Sequence, residues 1–442
     1  MSRAGGWILA CGLVLFAFTS IAQEETPVVE ITPGKERAFR VAVQRFSDRA
    51  PPLNPRRADD LRQAIEEGLR FSGIFEPIPT EAFLGEENTT SLQEGRRYDC
   101  ADWTQSGADA LVEGQISREG SQLVVEFAVW DTARCLRLGR RILRRATSQG
   151  RALARLVADH VVEAFTGTRG ASATEIAYIS TRPGGDEVFV INADGSDARP
   201  GTNSGTIKAF PDWLPDGGGI LYTAYHNGSQ PALYLTSRGT ARPGPVLEKL
   251  MPKLPKYRGV FHPEGKYLAF VTSIDGSAQI FTVRRDGRRL RRLTHSGAID
   301  VSPSWSPDGK QLVFVSDRSG SPQLYVIDRK GTNLRRLTYQ GSYNTSPAWS
   351  PDGRWIVYET RLEAQFDIWL IDPAGEVNFP LVVHPRNDES PSWSPDGRKL
   401  VFSSNRRGLD DIYTMDLSGD NLQRLTTGEN RDRSPTWGPF PR

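Results

Sequence analysis

A five-residue phrase recurs through the second half of this chain at a fixed interval. Trp305-Ser306-Pro307-Asp308-Gly309 returns as Trp349-Ser350-Pro351-Asp352-Gly353 and as Trp393-Ser394-Pro395-Asp396-Gly397. Looser copies stand at Trp213-Leu214-Pro215-Asp216-Gly217 and Phe261-His262-Pro263-Glu264-Gly265, and a partial copy, Trp437-Gly438-Pro439, ends the series. Successive copies are 48 residues apart once and then 44 apart four times. A repeat of this length with strand-like content specifies a propeller blade or a related unit that cannot bury its faces alone.

Each unit has one physical reading. In Pro-Asp-Gly, Pro pre-sets φ, Asp bonds its own backbone and Gly takes positive φ, which makes a tight turn. An alternating strand follows, Gln311–Ser316, then the polar turn Asp317-Arg318-Ser319-Gly320. A second strand runs over Leu324–Asp328, Lys330-Gly331 turns the chain, and Leu334–Thr338 reads as a last strand. Period-two alternation bounded by Gly, Pro and Asp is the strand signal. The recurring Trp reads as a wedge between neighbouring blades.

The ends set the blade count. Five units carry a turn phrase with strands after it. Residues Glu175–Asp194 supply middle strands (Ile176–Ile179, Val188–Ile191) with no phrase ahead of them, and Ser434–Trp437 supplies a first strand with nothing behind it. Joined, the two fragments make a sixth blade and close a ring without open edges. The expected class is therefore a multi-domain chain: an N-terminal α/β domain, then an all-β six-bladed propeller over 172–442 closed by the C-terminal strand.

The net charge of +2 argues against a dedicated nucleic-acid surface. The run Arg284-Arg285-Asp286-Gly287-Arg288-Arg289-Leu290-Arg291-Arg292 falls on a blade's outer turn and last strand, where a solvated edge is the simple reading. At the N-terminus Arg3 precedes an apolar run, Trp7 to Phe18, and then Ser20-Ile21-Ala22. This pattern predicts a signal peptide over 1–22, cleaved after Ala22, and an exported chain with no membrane insertion. Lipidation at Cys11 is the alternative, but the apolar stretch continues beyond that residue. Cys100 and Cys135 remain; in an oxidising compartment they are a disulfide candidate, and two separate thiols are the alternative.

Residues 23–168 have a different texture. Ala38–Val43 reads as a strand, and Ala58–Phe71 as a helix with Asp59 and Asp60 in its first turn, stopped at Gly73. Ala110–Val112, Leu123–Val129 and Leu138–Leu143 read as strands. Leu153–Phe165 reads as a second helix ended by Gly167, with 167–173 as the hinge. The first mature residues, 23–33, hold strand-prone Val28-Val29-Glu30-Ile31-Thr32 before Pro33-Gly34. Such a segment either adds to another protein's sheet or serves as an ordinary edge strand of its own domain.

Enzyme signatures are missing from the sequence. There is no Gly-x-Ser-x-Gly elbow, no His-Glu-x-x-His, no P-loop and no dinucleotide fingerprint. The Asp-Gly pairs are explained as turns and lack calcium-loop spacing. The five histidines, His160, His226, His262, His295 and His384, are scattered and read as structural. No catalytic residue, cofactor or metal is expected. Binding is expected at one channel mouth, on the polar segments ahead of each Trp strand: Lys256–Arg258, Ala298–Val301, Ser342–Thr345, Asn387–Ser390 and Asn430–Arg433.

Taken together, the leader, the small α/β domain, the six units and the split closing blade resemble the TolB family of the Tol-Pal envelope system. Ala58–Leu61 through Leu69–Phe75, Gly107–Gln115 and the linker Phe165–Gly170 are also similar to it. The resemblance implies a non-enzymatic periplasmic hub that is a monomer by itself and supports outer-membrane integrity and invagination during division. It implies that the channel mouth binds Pal, the peptidoglycan-associated lipoprotein, through Lys256, Arg258, Asp300, Val301, Asn344, Thr345, Asp388 and Glu389. It further implies that Val28, Val29, Glu30, Ile31 and Thr32 are offered to TolA, the inner-membrane protein. The chain departs from the pattern at Phe261–Gly265, in an insertion around 239–253, and in its two cysteines. An exported propeller accessory to a hydrolase and a carbohydrate-binding propeller are the competing readings.

Overall fold

The computed structural model describes residues 37–48, 55–84, 100–225, 230–237, 244–245, 247 and 254–441. The leader, its cleavage point after Ala22 and the segment Val28–Thr32 lie outside the described residues, as does most of the 239–253 insertion. Residues Ala38–Arg442 form one compact unit.

Its first part is a sheet built from β1 (Phe39–Val43), β2 (Ser47–Asp48), β3 (Phe75–Pro77), β4 (Ala110–Glu119), β5 (Gln122–Asp131) and β6 (Leu136–Ala146). The strand order is β3-β1-β4-β5-β6, with β2 also beside β4; β1 is parallel to β3 and β4, and β4-β5-β6 is an antiparallel meander. Alternation decides which face each strand residue covers. Val41 and Val43 face α1 (Pro55–Phe71) and α3 (Gly150–Thr166), together with Leu61, Ile65, Leu69, Leu153, Val157 and Val161. Ala42 belongs to the opposite cluster, with Trp103 of α2 (Cys100–Gln105) and Leu111. The two long helices approach closely because residue 68 is glycine: a Cβ there would sit 2.8 Å from the Ala158 Cβ. Helix α1 begins three residues earlier than expected, at Pro55, so Asp59 and Asp60 are not in its first turn. Proline is tolerated there because a first-turn N–H has no helical acceptor to lose. The sequence reading missed β2, β3 and α2, which are short.

The open choice for the cysteines resolves to a disulfide. Cys100 and Cys135 are bonded, with Cα atoms 5.6 Å apart across 35 residues of chain, tying α2 to the β5–β6 turn. Closing a loop of that length contributes about 4 kcal/mol in the chain-entropy account.

The second part is a six-bladed propeller, each blade a four-stranded antiparallel sheet. Inner strands are Ile207–Trp213, Tyr257–Phe261, Asp300–Trp305, Tyr343–Trp349, Asp388–Trp393 and Asp432–Trp437, numbered here as blades 1 to 6. The outermost strands are mostly two residues long, such as Arg335–Arg336, where a longer strand was expected. In blade 6, Asp432–Trp437 pairs with Glu175–Arg182, placing Trp437 opposite Ile176. The first and last strands of the propeller therefore meet inside one sheet, as the split fragments required.

The turn phrase behaves as its residues dictate. Ser306 Oγ meets the Asp308 carboxylate at 2.7 Å, the Lys310 N–H donates to Asp308 at 3.0 Å, and Gly309 has φ +66. These bonds, led by the Lys310 N–H, hold the Asp308 carboxyl down at about 2. The tryptophans wedge between blades: Trp305 packs with Ala269, Val271 and Ile280 of blade 2. Its indole N–H donates to the Val260 carbonyl at 3.4 Å; Trp393 reaches Ala348 and Trp213 reaches Thr436 in the same way. His262 replaces the phrase's serine in blade 2 and is buried, with its ring 4.9 Å from that of Trp305 and Nε2 3.1 Å from the Gly309 carbonyl. Burial holds its pKa low, consistent with a structural role.

Candidate partner-binding mouth

Every inner strand is bulged at the same repeat position. Registers shift between Val301 and Ser304, Thr345 and Ala348, Glu389 and Ser392, Arg433 and Thr436, Ala209 and Asp212, and Tyr257 and Val260. One residue in each bulge is left-handed: Phe210, Arg258, Ser302, Ser346, Ser390 and Ser434, with φ between +49 and +54. A bulge inserts a residue and bends the strand. Six of them in register line a central cavity of about 290 Å³. They also correct one expectation. The segments ahead of each Trp are not wholly loops; the inner strands begin inside them, at Tyr257, Asp300, Tyr343, Asp388 and Asp432.

That register sorts the eight expected contact residues. Lys256, Asp300, Asn344 and Asp388 share one repeat position and all are buried. Arg318 Nη2 holds both Asp300 oxygens at 2.9 and 3.0 Å, and Arg406 Nη2 holds Asp388 at 2.7 Å. The Asn344 amide donates to Gln323 Oε1 at 2.8 Å, and Lys256 Nζ donates to the Leu254 carbonyl at 3.0 Å. Burial lowers the Lys256 pKa. All four side chains are engaged within the propeller. The next position holds Val301, Thr345 and Glu389, each half-buried. One residue further, Arg258 lies with its guanidinium carbon 3.8 Å from the Phe210 ring centroid and donates to Ser302 Oγ.

Arg258 is brought together with a residue the sequence reading missed. Glu359, on the second strand of blade 4, is buried, and its carboxylate accepts from the Ser390 N–H at 2.6 Å. Burial raises its pKa, while the Arg258 charge opposes the rise. Equivalent positions in other blades are Val271, Val315 and Ser403, so comparing the repeats position by position would have exposed it. Glu389 is pushed up to about 7, first by burial and then by the charges of Glu359, Asp410 and Asp388. Glu389 stands outside the cavity lining; the lining carboxylates are Glu359 and Asp212, whose carboxyl burial pushes up to about 7. Shifted carboxylates with an arginine in one cavity are a functional-site signature.

The rim was also misjudged from polarity. Around the mouth where the inner strands begin, Ile207, Ile299, Tyr339, Tyr343, Leu362 and Val383 are exposed, Tyr339 to 73% and Val383 to 65%. Exposed apolar groups rimmed by polar ones mark protein-interaction surfaces. This mouth faces away from the α/β domain, which sits at the turn-phrase end. There Phe71 lies 6.5 Å from the Trp437 ring and 4.7 Å from Lys399 Nζ. A larger cavity of about 490 Å³ marks that junction, but its buried cations are engaged: Arg155 pairs with Asp194 and Lys399 with Asp416. Among the described residues no group of three or more His, Cys, Asp or Glu side chains is placed to hold a metal ion. No helix among them is long and apolar enough to cross a membrane.

Residues 27–138 match the model of the TolB amino-terminal domain, and residues 162–441 match that of the TolB beta propeller domain. The chain belongs to the TolB family. Similar relatives include the Tol-Pal system protein TolB of Anaeromyxobacter sp. strain K, 32% identical over 66% of this chain, and the protein TolB homolog of Chlorobaculum tepidum, 33% identical over 66%. The matched segments span 65% and 64% of those relatives' own lengths. The crystal structure of TolB from Acinetobacter baumannii superimposes with a TM-score of 0.75 over 91% of this chain and 97% of that one, at 24% identity, which shows a shared fold. In this TolB-family chain the cysteine pair is real, and blade 2 carries the degenerate phrase with His262.

Proposed function

We propose that this chain is a non-enzymatic, periplasmic interaction hub of a Tol-Pal trans-envelope system. In this reading residues 1–22 are a signal peptide, 23–168 the N-terminal domain and 172–442 the propeller. The mouth facing away from the α/β domain receives a Pal-type peptidoglycan-associated lipoprotein. The segment Val28–Thr32 is offered to a TolA-type inner-membrane protein by strand addition, in support of outer-membrane integrity and invagination during division. One observation supports the mouth assignment: exposed apolar side chains of blades 1, 3 and 4 stand around a cavity lined by Arg258 with the carboxylates Asp212 and Glu359. Apolar anchors around a charged centre suit a folded protein partner.

The test is titration of the mature protein, from Gln23, with the Pal-type domain of its own organism. Tyr343→Ala with Ile299→Ala is expected to weaken binding by roughly 10–100-fold, the loss of one to two interface anchors. Unchanged affinity moves the site, and absence of binding ends the hub reading. Removal of residues 23–33 is expected to abolish binding of the TolA-type protein while leaving the mouth competent.

A further inference from the structure

Internal repetition lets one blade serve as the control for another, and blade 2 breaks the pattern at its outer turn. Blades 3 and 5 stabilise that turn with an Asp and an Asn five residues on. Asn333 Nδ2 donates to Asp328 at 2.6 Å, and Asn421 donates to Asp416. The Asn at this position is left-handed, φ +54 in both blades, and blade 6 places Asp197 there at +57. Asn and Asp tolerate that conformation best among non-glycine residues. Blade 2 has Arg284 in place of the Asp and Arg289, at φ +55, in place of the Asn. It lacks the Asp–Asn side-chain bond, keeps the Arg288 N–H to Asp286 at 3.0 Å and an Arg284–Asp286 pair at 3.4 Å, and holds an arginine in a left-handed backbone. The left-handed conformation belongs to the turn, since blades 3, 5 and 6 share it; what sets blade 2 apart is the arginine placed there, and a residue kept where it strains the backbone points to function.

The charge pattern agrees. Residues 284–292 carry six Arg and one Asp, net +5; the matching 328–336 of blade 3 carry four cations and one Asp, net +3. The matching turns of blades 4, 5 and 6 (372–380, 416–424, 192–200) sum to −2, −1 and −1. The whole chain is +2, so all residues outside those two basic turns together carry −6. The two basic turns are adjacent and joined, with Arg291 donating to the Lys330 carbonyl. Each also presents an exposed leucine, Leu290 at 37% and Leu334 at 44%, amid exposed cations. Arginines around apolar tips make an interfacial chemistry: guanidinium groups pair with phosphates while leucines enter the headgroup boundary.

We infer that the outer turns of blades 2 and 3 form a docking surface for an anionic phospholipid bilayer, engaged peripherally through Arg284, Arg288, Arg289 and Lys330 and tipped by Leu290 and Leu334. The inference does not depend on the channel-mouth reading and uses a different face of the propeller.

The experiment is vesicle flotation of the full mature protein, using phosphatidylcholine alone and phosphatidylcholine mixed with phosphatidylglycerol. Flotation is expected with the anionic vesicles only, and it should fade as salt shortens the Debye length from about 10 Å. The informative variant is Arg284→Asp/Arg289→Asn, which installs the turn chemistry of blades 3 and 5. It should fold at least as stably as the parent yet partition roughly a hundredfold less, three charges at about fivefold each. Leu290→Ser/Leu334→Ser should weaken partitioning without changing its salt dependence. Equal flotation with both vesicle types, or undiminished flotation of the arginine variant while it remains folded, overturns the inference. So does capture of soluble glycerol phosphate with no vesicle binding. Because neither variant touches the mouth, loss of Pal-type binding in the parent protein would leave this result standing.

Discussion

Replacing Asp388 with alanine separates a strut from a contact. The Asp388 side chain is fully buried, and its partner Arg406 is only 11% exposed. Arg406 bonds Asp388 at 2.7 Å and Ser404 Oγ at 2.9 Å, and its guanidinium lies 4.9 Å from the Tyr413 ring centroid. Removing the carboxylate leaves a nearly buried guanidinium without its counter-charge, which costs about 4 kcal/mol. A propeller of roughly 270 residues unfolds with an entropy of about 0.57 kcal/mol/K, so the midpoint should fall by about 7 °C. Asp300 makes the same pair with Arg318, also 18 residues on, so Asp300→Ala should repeat the effect. The neighbouring Glu389→Ala removes a half-buried carboxylate crowded by Glu359, Asp410 and Asp388, and should shift the midpoint by no more than about 1–2 °C. Differential scanning calorimetry on the three variants decides the matter. Equal losses for Asp388→Ala and Glu389→Ala, or no loss for Asp388→Ala, would refute the reasoning that the repeat position is structural.

Two further outcomes follow from geometry and charge. The Glu389 carboxyl is raised to about 7 in the folded protein, so the fold favours its protonated form. Its ionisation therefore opposes folding as pH climbs from about 4.5 through about 7; Glu389→Gln should match the parent near pH 4 and be the more stable at about pH 8, measured by urea unfolding at both. At Gly309 a Cβ would lie 1.9 Å from His262 Nε2, whereas at Gly397 the nearest atom is 3.8 Å away. Both sites have positive φ, +66 and +72, so Gly309→Ala should cost about 1–3 kcal/mol more than Gly397→Ala. His262→Ser should remove that excess; an excess that persists in the double variant would place its origin elsewhere.

The architecture was legible because its signal is periodic. Six copies of one phrase, with strands and turns at fixed offsets, leave few alternatives, and the unmatched fragments at the two ends had to complete one another. The α/β domain was legible through the long strands and the two amphipathic helices, while two- and three-residue strands carry too little pattern to detect. The site was legible as a region but not residue by residue. Asp300, Asn344 and Asp388 entered as contact residues through the family resemblance, on the polar segments ahead of each Trp strand. Yet their recurrence every 44 residues, with Arg318 and Arg406 at matching offsets, was itself the mark of a blade-building position. Glu359 hid inside an apolar strand, detectable only as the odd member of its column of repeats. Ile299 and Tyr343 lay inside the segments expected to bind but were not singled out, because those segments were read for their polar members; an exposed apolar residue is no exception to any rule of burial.

The closure of blade 6 sets a timetable for the molecule. Asp432–Trp437 is the last-made part of the ring, while its partner Glu175–Arg182 is made before any of the other blades. A chain growing from its N-terminus therefore completes five sheets while the strand edge of Glu175–Arg182 stays open, waiting for six residues some 250 positions downstream. Until they arrive, Trp437 cannot fill the gap beside Tyr178, Ile191 and Val401, and blade 5 has no neighbour on that side. The closing strand thus reports whether the ring has been translated through to its last blade. A product that stops short of it keeps an unpaired edge, open to proteases and to other unpaired edges.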